Sequence, residues 1–279
     1  MSDLQQFGGD WTIEKLDILI RYLDAYLNVL KKQSFQKIYI DAFAGTGSIK
    51  ISDRCETAGS AKLALMSQNH FDQYFFIEKD KEKVSQLQSM VSAEFPQLAK
   101  RVNIKQGDAN AELQNICKNV NWKNSRALLF LDPYATQVSW STLEVIARTG
   151  AFDVWYLFPF SALNRMLRKD GQIDQSWAEC INRLLGDDSW MREFYEEDPQ
   201  ICMFAEDTGL VKAVGLEELQ RYILSRLETI FPEVANNPRI FTNTKNSPLF
   251  LFCFAIANQS PKARQIALRI AEYILGQKR

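Results

Sequence analysis

Four short apolar segments in the first half of the chain each end at an acidic residue, and this pattern restricts the fold more than any other feature of the sequence. The segments are Lys37–Asp41, Tyr74–Glu78, Val102–Asp108 and Ala127–Asp132. Successive acidic residues lie 24 to 37 residues apart, which leaves room for a strand, a crossover helix and a turn in each interval. The pattern predicts an α/β, Rossmann-like fold with a mostly parallel central sheet and helices on both faces.

The predicted organisation changes after a fifth apolar strand at Asp153–Phe158. Residues 10–160 are expected to form the ligand-binding core, and residues 161–235, which are rich in helical patterns, a helical insertion or lid. Residues 236–279 are expected to complete the core with two closing strands and a C-terminal helix that begins at Pro261.

Four local predictions can be compared directly with the structure. Thr12 is expected to be the N-cap of the first helix, and Ser48–Glu56 to be irregular, with the next helix starting within Thr57–Ser60. Trp190–Glu197 is expected to be helical.

Composition excludes several classes of protein. The chain has 279 residues, of which 46% are hydrophobic, so it can bury a sizeable core and is not expected to be disordered. The net charge of −1 provides no globally basic surface for long duplex nucleic acid, but it does not exclude a local basic patch. With five scattered cysteines and one histidine, no metal site is expected. With no signal peptide and no long apolar run, the expected location is the cytoplasm, without membrane contact.

The loop after the first strand is the strongest indication of a ligand site. Ligands of parallel α/β sheets bind outside the carboxyl ends of the strands, and glycines there let the backbone approach a ligand closely. The loop residues assigned to cofactor binding are Asp41, Phe43, Gly45, Thr46 and Gly47. The alternative is an ordinary turn that follows an acidic strand end.

Two departures from the nicotinamide pattern favour a different adenosine cofactor. A dinucleotide fingerprint has a third glycine where this chain has Lys50, and its acidic residue lies about 20 residues downstream. Here the next strand-ending acid is Glu78, 31 residues after Gly47. S-adenosylmethionine has no pyrophosphate to hold, and its sulfonium cation can be stabilised by a carboxylate at Asp41.

The second and third strand ends supply the remaining cofactor candidates. A carboxylate at Glu78 can accept hydrogen bonds from both hydroxyls of a ribose. Asp108, followed by Ala109, can accept the exocyclic amine of adenine. The alternatives are a solvated Glu78 within a charged run, with Asp80 as substitute, and a turn role for Asp108.

The fourth strand end carries the candidate acceptor site, Asp132-Pro133-Tyr134. An oxygen beside a fixed proline and an aromatic ring can hold a flat amine, because the oxygen accepts the N–H and the ring stacks. Amino-methyltransferases usually have two prolines here, so the match is partial, and a strand-ending turn is the alternative. Trp11 and Lys15 either cover the cofactor or simply begin a helix.

With these motifs, the chain resembles the bacterial three-Cys-motif partner proteins, a family related to class I S-adenosylmethionine-dependent methyltransferases. The resemblance covers most of residues 10–165 and extends to Leu249–Leu275. It is carried by Trp11-Thr12, Lys15-Leu16, Tyr39–Gly47, Gly59-Ser60, Phe76–Glu78, Asp132–Tyr134 with Trp140, and Leu157–Pro159 with Arg165. The resemblance implies a methyltransferase-like fold, S-adenosylmethionine binding and a companion protein that bears three cysteines.

Three functions remain open at this point. The first is an S-adenosylmethionine-dependent methyltransferase whose acceptor is a nucleic-acid base, a nucleotide or a protein. The second is a catalytically silent binding module of the same fold that acts with a partner protein. The third is a nicotinamide enzyme, which Lys50 and the distance to Glu78 disfavour.

Overall fold

The computed structural model describes residues 10–52, 55–197 and 209–277. The helices are α1 Asp10–Leu30, α2 Ser60–Met66, α3 Lys81–Glu94, α4 Ala109–Asn119, α5 Trp140–Arg148, α6 Phe160–Met166, α7 Gln175–Leu185, α8 Trp190–Phe194, α9 Leu216–Glu228 and α10 Pro261–Gly276. The strands are β1 Gln36–Asp41, β2 Ser48–Ser52, β3 Cys55–Ala58, β4 Gln73–Glu78, β5 Val102–Gln106, β6 Ser125–Leu131, β7 Phe152–Phe158, β8 Tyr195–Glu197, β9 Leu210–Lys212, β10 Glu233–Val234, β11 Arg239–Thr242 and β12 Pro248–Ile256. None of the helices within these ranges is long and apolar enough to cross a membrane.

The central sheet has the strand order β5-β4-β1-β6-β7-β12-β10, and β11 also pairs with β12. The five strands from β5 to β7 run parallel, whereas β12 is antiparallel to β7. The order reverses at β1, which lies between β4 and β6. In register, Asp41 at the end of β1 lies opposite Phe76 and Phe130. The predicted mostly parallel sheet is therefore confirmed.

Helices cover both faces of the sheet, because its strands are apolar on both sides. Along β6, Ala127, Leu129 and Leu131 face a core shared with α4 to α9. Leu128 and Phe130 face a second core, shared with α1, α2, α3 and α10. Each face is thus buried by its own layer of helices, which explains why the strands read as nearly continuous apolar runs.

Two local predictions were wrong, and a third is confirmed. The described residues within Ser48–Glu56 are not irregular, since β2 and β3 pair antiparallel. The prediction that the next helix starts within Thr57–Ser60 is confirmed, since α2 begins at Ser60, directly after β3 and Gly59. Thr12 is not an N-cap, because α1 already begins at Asp10.

The helical region after β7 also differs from its prediction at one end. Residues 190–197 are helical only to Phe194, and the next three residues form β8, which pairs with β9. Buried side chains of α6, α7, α8 and α9 belong to the same core as β6 and β7. The assignment of residues 161–235 as an insertion or lid stays a prediction, and residues 198–208 lie outside the described part of the chain.

Candidate functional site

Acidic residues from four neighbouring strands meet at the carboxyl edge of the parallel sheet. Asp41 and Glu78 are the last residues of β1 and β4, and Asp132 directly follows β6. Glu78 accepts, through its backbone carbonyl, a hydrogen bond of 3.1 Å from the amide of Gly107, so Asp108 follows close beside it. The expectation that these strand ends share one edge follows from parallel pairing and is met.

The loop after β1 turns sharply at its two glycines. Gly45 and Gly47 have φ angles of +60° and +84°, a region that side chains disfavour. A Cβ atom at Gly45 would meet no other atom within 4 Å, so this part of the loop borders open space. A Cβ atom at Gly47 would lie 2.5 Å from the side chain of Met90. The Thr46 hydroxyl donates a 3.0 Å hydrogen bond to the Ser48 carbonyl and stays within the turn.

Glu78 holds the glycine loop directly. Its Oε2 atom accepts a 3.0 Å hydrogen bond from the amide of Gly45, and its Oε1 atom accepts one of 2.9 Å from the amide of Asp80. Each carboxylate oxygen has two lone pairs, so each keeps the capacity for one more donor. The carboxylate therefore lies beside the loop with room in its hydrogen-bonding capacity for two adjacent hydroxyls.

Asp41 is fully buried behind the same loop. It accepts hydrogen bonds from the Ser60 hydroxyl at 2.5 Å and the Phe43 amide at 3.2 Å. Burial raises the pKa of Asp41 to about 7, because its effect is larger than that of the two hydrogen-bond donors, which lower the pKa. The nearby Asp132 carboxylate raises it further, and the Lys15 ammonium lowers it. Asp41 therefore has no exposed surface and is joined to the loop and to the start of α2 by these two hydrogen bonds.

Asp108 is the N-cap of α4. Its Oδ1 atom accepts hydrogen bonds from the amides of Asn110 and Ala111, at 3.0 and 3.2 Å. This satisfies two amides at the helix start and agrees with a turn-like role for Asp108. The side chain is exposed, whereas Ala109 is buried at the first position of α4. Any contact of Asp108 with adenine has to coexist with the cap.

Asn110 connects α4 to the loop that follows β6, and the sequence motifs did not point to it. Its side-chain amide donates to the carbonyl of Gln137 at 2.8 Å, and its Oδ1 atom accepts from the amide and hydroxyl of Ser139, both at 2.9 Å. These hydrogen bonds join the start of α4, which follows β5, to the segment after Tyr134. An asparagine two residues after a Gly-Asp pair gives no local sequence signal for such a contact.

Asp132 forms an ion pair with a buried lysine of α1. The Nζ atom of Lys15 lies 2.5 Å from Oδ2 of Asp132, and Lys15 is only 3% exposed. The ammonium also lies 5.2 Å from the ring centroid of Trp11 and 5.9 Å from that of Phe130. The N-terminal helix therefore reaches the candidate acceptor site, and its cation is held there by a carboxylate and two aromatic rings.

Tyr134 projects from this edge into solvent. The residue is 87% exposed, although the preceding Pro133 is buried. Its backbone amide donates a 3.0 Å hydrogen bond to the side chain of Gln137, which fixes the chain at that point. An exposed ring on a fixed backbone, two residues from Asp132, is available to stack on a flat molecule.

The sheet order and the layers define an α/β protein with the fold of class I methyltransferases, as predicted. The protein LPL1258 from Legionella pneumophila, a DUF519 protein, aligns over 99% of this chain and 96% of its own at 12% identity, with a TM-score of 0.51. A likeness at this identity shows the fold alone. The alignment spans nearly the whole of both chains.

Two further solved structures align with this chain at lower TM-scores. A proposed O-methyltransferase from Klebsiella pneumoniae aligns over 86% of this chain and 80% of its own, at 11% identity and a TM-score of 0.44. The methyltransferase domain of the bacterial protein CtHen1 aligns over 86% and 99%, at 11% identity and a TM-score of 0.38. No protein-family model and no curated protein sequence matches this chain.

Proposed function

We propose that the protein is an S-adenosylmethionine-dependent methyltransferase. The observation that carries the proposal is the 3.0 Å hydrogen bond between Glu78 and the amide of Gly45. It joins the acidic end of β4 to the glycine loop of β1, at the point where the strand order reverses and ligands of such sheets bind.

The residues at this edge fit the cofactor. Glu78 accepts the two ribose hydroxyls with the lone pairs that its backbone contacts leave free. The loop of Gly45 to Gly47 places backbone amides next to open space, where a carboxylate of the cofactor can approach. Asp108 and Ala109 border the adenine. When bound, S-adenosylmethionine supplies an activated methyl group on a sulfonium cation, which the negative field of Asp41 favours.

The acceptor is held by Asp132 and Tyr134. The carboxylate of Asp132 accepts a hydrogen bond from an amino group, and the ring of Tyr134 stacks on the planar system that carries it. Together they fix the nitrogen in one orientation, which can lower the barrier by as much as roughly 7–11 kcal/mol when both partners are well aligned. A nucleic-acid base or a nucleotide fits this pair better than an aliphatic protein side chain, because a flat acceptor uses both contacts.

A catalytically silent binding module is the second candidate, and the ion pair between Lys15 and Asp132 favours it. In this arrangement the carboxylate expected to receive the acceptor already binds an ammonium at 2.5 Å. For catalysis, Asp132 has to bind the acceptor with its second carboxylate oxygen, or release Lys15 and bind the acceptor in its place. A module that serves a companion three-Cys-motif protein has no such requirement.

Binding and transfer measurements distinguish these functions. Titration calorimetry should detect S-adenosylhomocysteine binding and no NAD binding. Glu78→Gln, which keeps the shape of the side chain, should weaken the former about 10- to 100-fold, since charged hydrogen bonds contribute about 1.5–3 kcal/mol each. Unchanged affinity in this variant would remove Glu78 from the site, and NAD binding would overturn the cofactor assignment.

Transfer of a radiolabelled methyl group to fractionated cell extract tests catalysis itself. Label should enter the RNA, DNA or nucleotide fraction, and Asp132→Asn should abolish it while S-adenosylhomocysteine still binds. Binding without transfer to any fraction would favour the module.

A further inference from the structure

A cleft lies at the edge of the sheet opposite to the carboxyl edge, between α1 and α10. Its volume is about 350 Å³, within the range of small-molecule sites. The starts of β6 and β7 form its floor, so it lies about 20 Å from Asp132, the length of six strand residues. Its walls include Tyr22, Tyr26, Leu30, Phe35, Ile266 and Ile270.

The floor of the cleft carries a partly buried carboxylate. Asp153, near the start of β7, accepts a 2.7 Å hydrogen bond on Oδ2 from the hydroxyl of Tyr22. Burial raises the pKa of Asp153 to about 6, while Tyr22 and the nearby Arg126 lower it. An ionised carboxylate only accepts hydrogen bonds, so a group that binds here has to donate them.

A second polar group beside Asp153 lacks a partner. The hydroxyl of Tyr26 is buried and has no hydrogen-bond partner among the described residues, although the whole residue is 8% exposed and its side chain lines the cleft. Buried hydroxyls in folded proteins are nearly always paired. Asp153 and Tyr26 thus place two polar groups with remaining hydrogen-bonding capacity at the floor of the cleft.

The nearest cation at the floor is already bound to the backbone. Arg126 donates from Nη1 to the carbonyls of Trp122 and Ser125, at 3.1 and 2.6 Å, and its guanidinium stacks 3.9 Å from the ring centroid of Phe35. Arg126 therefore contributes a flat wall, with these donors directed to carbonyls. The rim has apolar side chains, with Val29 and Ile266 exposed by 44% and 39%, and polar ones that include Gln33 and the exposed Lys262.

We propose that this cleft binds a small, mostly apolar molecule whose polar end donates hydrogen bonds to Asp153, such as a primary amine or an alcohol. The apolar walls bury the body of the ligand, and the head group reaches the carboxylate and comes near the unpaired Tyr26 hydroxyl. The site is separate from the carboxyl edge and does not depend on the proposed methyltransferase activity.

Three probes with the same apolar body test the head-group requirement. These are 3-phenylpropylamine, 3-phenylpropanol and 3-phenylpropanoate, titrated against the full chain and followed by ligand-observed NMR. The amine and the alcohol should bind saturably, and the carboxylate at least about 10-fold more weakly, because it meets Asp153 with the same charge. Equal affinity of all three probes, or no saturable binding of any, would overturn the proposal.

Variants place the binding in the cleft. Asp153→Asn, which can still pair with Tyr22, should weaken the amine more than the alcohol. Ile266→Ser at the rim should weaken both, whereas Ile240→Ser should weaken neither, because Ile240 is comparably exposed at 41% but lies on β11. Equal effects of the two isoleucine variants, or full amine affinity in Asp153→Asn, would contradict the proposed site.

Discussion

Replacing Asp41 by asparagine should stabilise the protein at neutral and alkaline pH. The pKa of Asp41 is raised from 3.8 to about 7, mainly by burial. The folded state therefore holds this proton more tightly than the unfolded state, and the stabilisation that protonation provides is fully present below about pH 4. It is lost as the pH rises to about 7. Asparagine does not titrate, so Asp41→Asn removes this loss.

The size of the effect follows from the shift in pKa. A shift of about 3 units corresponds to about 4 kcal/mol, at about 1.4 kcal/mol for each unit, as an upper bound. About 2 of these units fall above pH 5, so the difference in unfolding free energy between variant and wild type should grow by up to about 3 kcal/mol between pH 5 and pH 8. Asparagine can still accept from the amide of Phe43 and donate to the hydroxyl of Ser60, which limits structural disturbance.

Urea unfolding followed by tryptophan fluorescence measures this difference at several pH values. Asp188→Asn is a matched control, because Asp188 is exposed and its substitution removes the same charge from the surface. The control should show no comparable widening with pH. A difference for Asp41→Asn that stays constant, or that narrows as the pH rises, would refute the reasoning about the buried carboxylate.

Three further substitutions test the ion pair, the exposed ring and the glycine loop. Asp132→Ala should lower the unfolding free energy by about 2–4 kcal/mol, because it leaves Lys15 buried without its carboxylate. Adding Lys15→Met to the same chain should recover most of the lost stability, as measured by chemical denaturation. If the double variant recovers none of it, the loss does not come from a buried unpaired charge. Tyr134→Ala should change the unfolding free energy by less than about 0.5 kcal/mol, since the residue is 87% exposed. It should reduce methyl transfer and leave the affinity for S-adenosylhomocysteine unchanged in calorimetry. A parallel loss of that affinity would place the ring at the cofactor instead. Gly45→Ala should lower the unfolding free energy in urea by about 1–2 kcal/mol, because an alanine disfavours the left-handed backbone conformation of this position. No steric cost is expected, since a Cβ atom there meets nothing within 4 Å. A much larger loss would mean that the space is not open.

The parallel strands could be predicted from the sequence because both of their faces are buried. Segments such as Ala127–Asp132 are apolar at every position up to the acidic end, and only a strand between two layers of helices requires this. The position of Glu78 beside the glycine loop then follows from strand order. The same reasoning does not fix what Asp108 does, since capping α4 and contacting a ligand require the same residue type.

The pairing of β2 with β3 had only a short local signal, and the ion pair of α1 had none. Ser48–Ser52 alternates polar and apolar residues, as a strand does, but over only five positions, and its structure depends on pairing with the opposite strand. Lys15 and Asp132 are 117 residues apart, and no pattern near either residue indicates the other. Such contacts come from tertiary packing, in which α1 crosses the sheet next to β12.

The packing of α1 also has a consequence for how the chain matures. Its Tyr22 packs against Phe254 of β12 at a ring-centroid distance of 4.7 Å, and its Arg21 donates to Gln277 just after α10. On the ribosome, α1 emerges more than 200 residues before these partners, so its apolar face has nothing of β12 or α10 to cover it during that interval. We expect nascent chains that stop before residue 248 to associate with chaperones through α1, and release to require the last two elements.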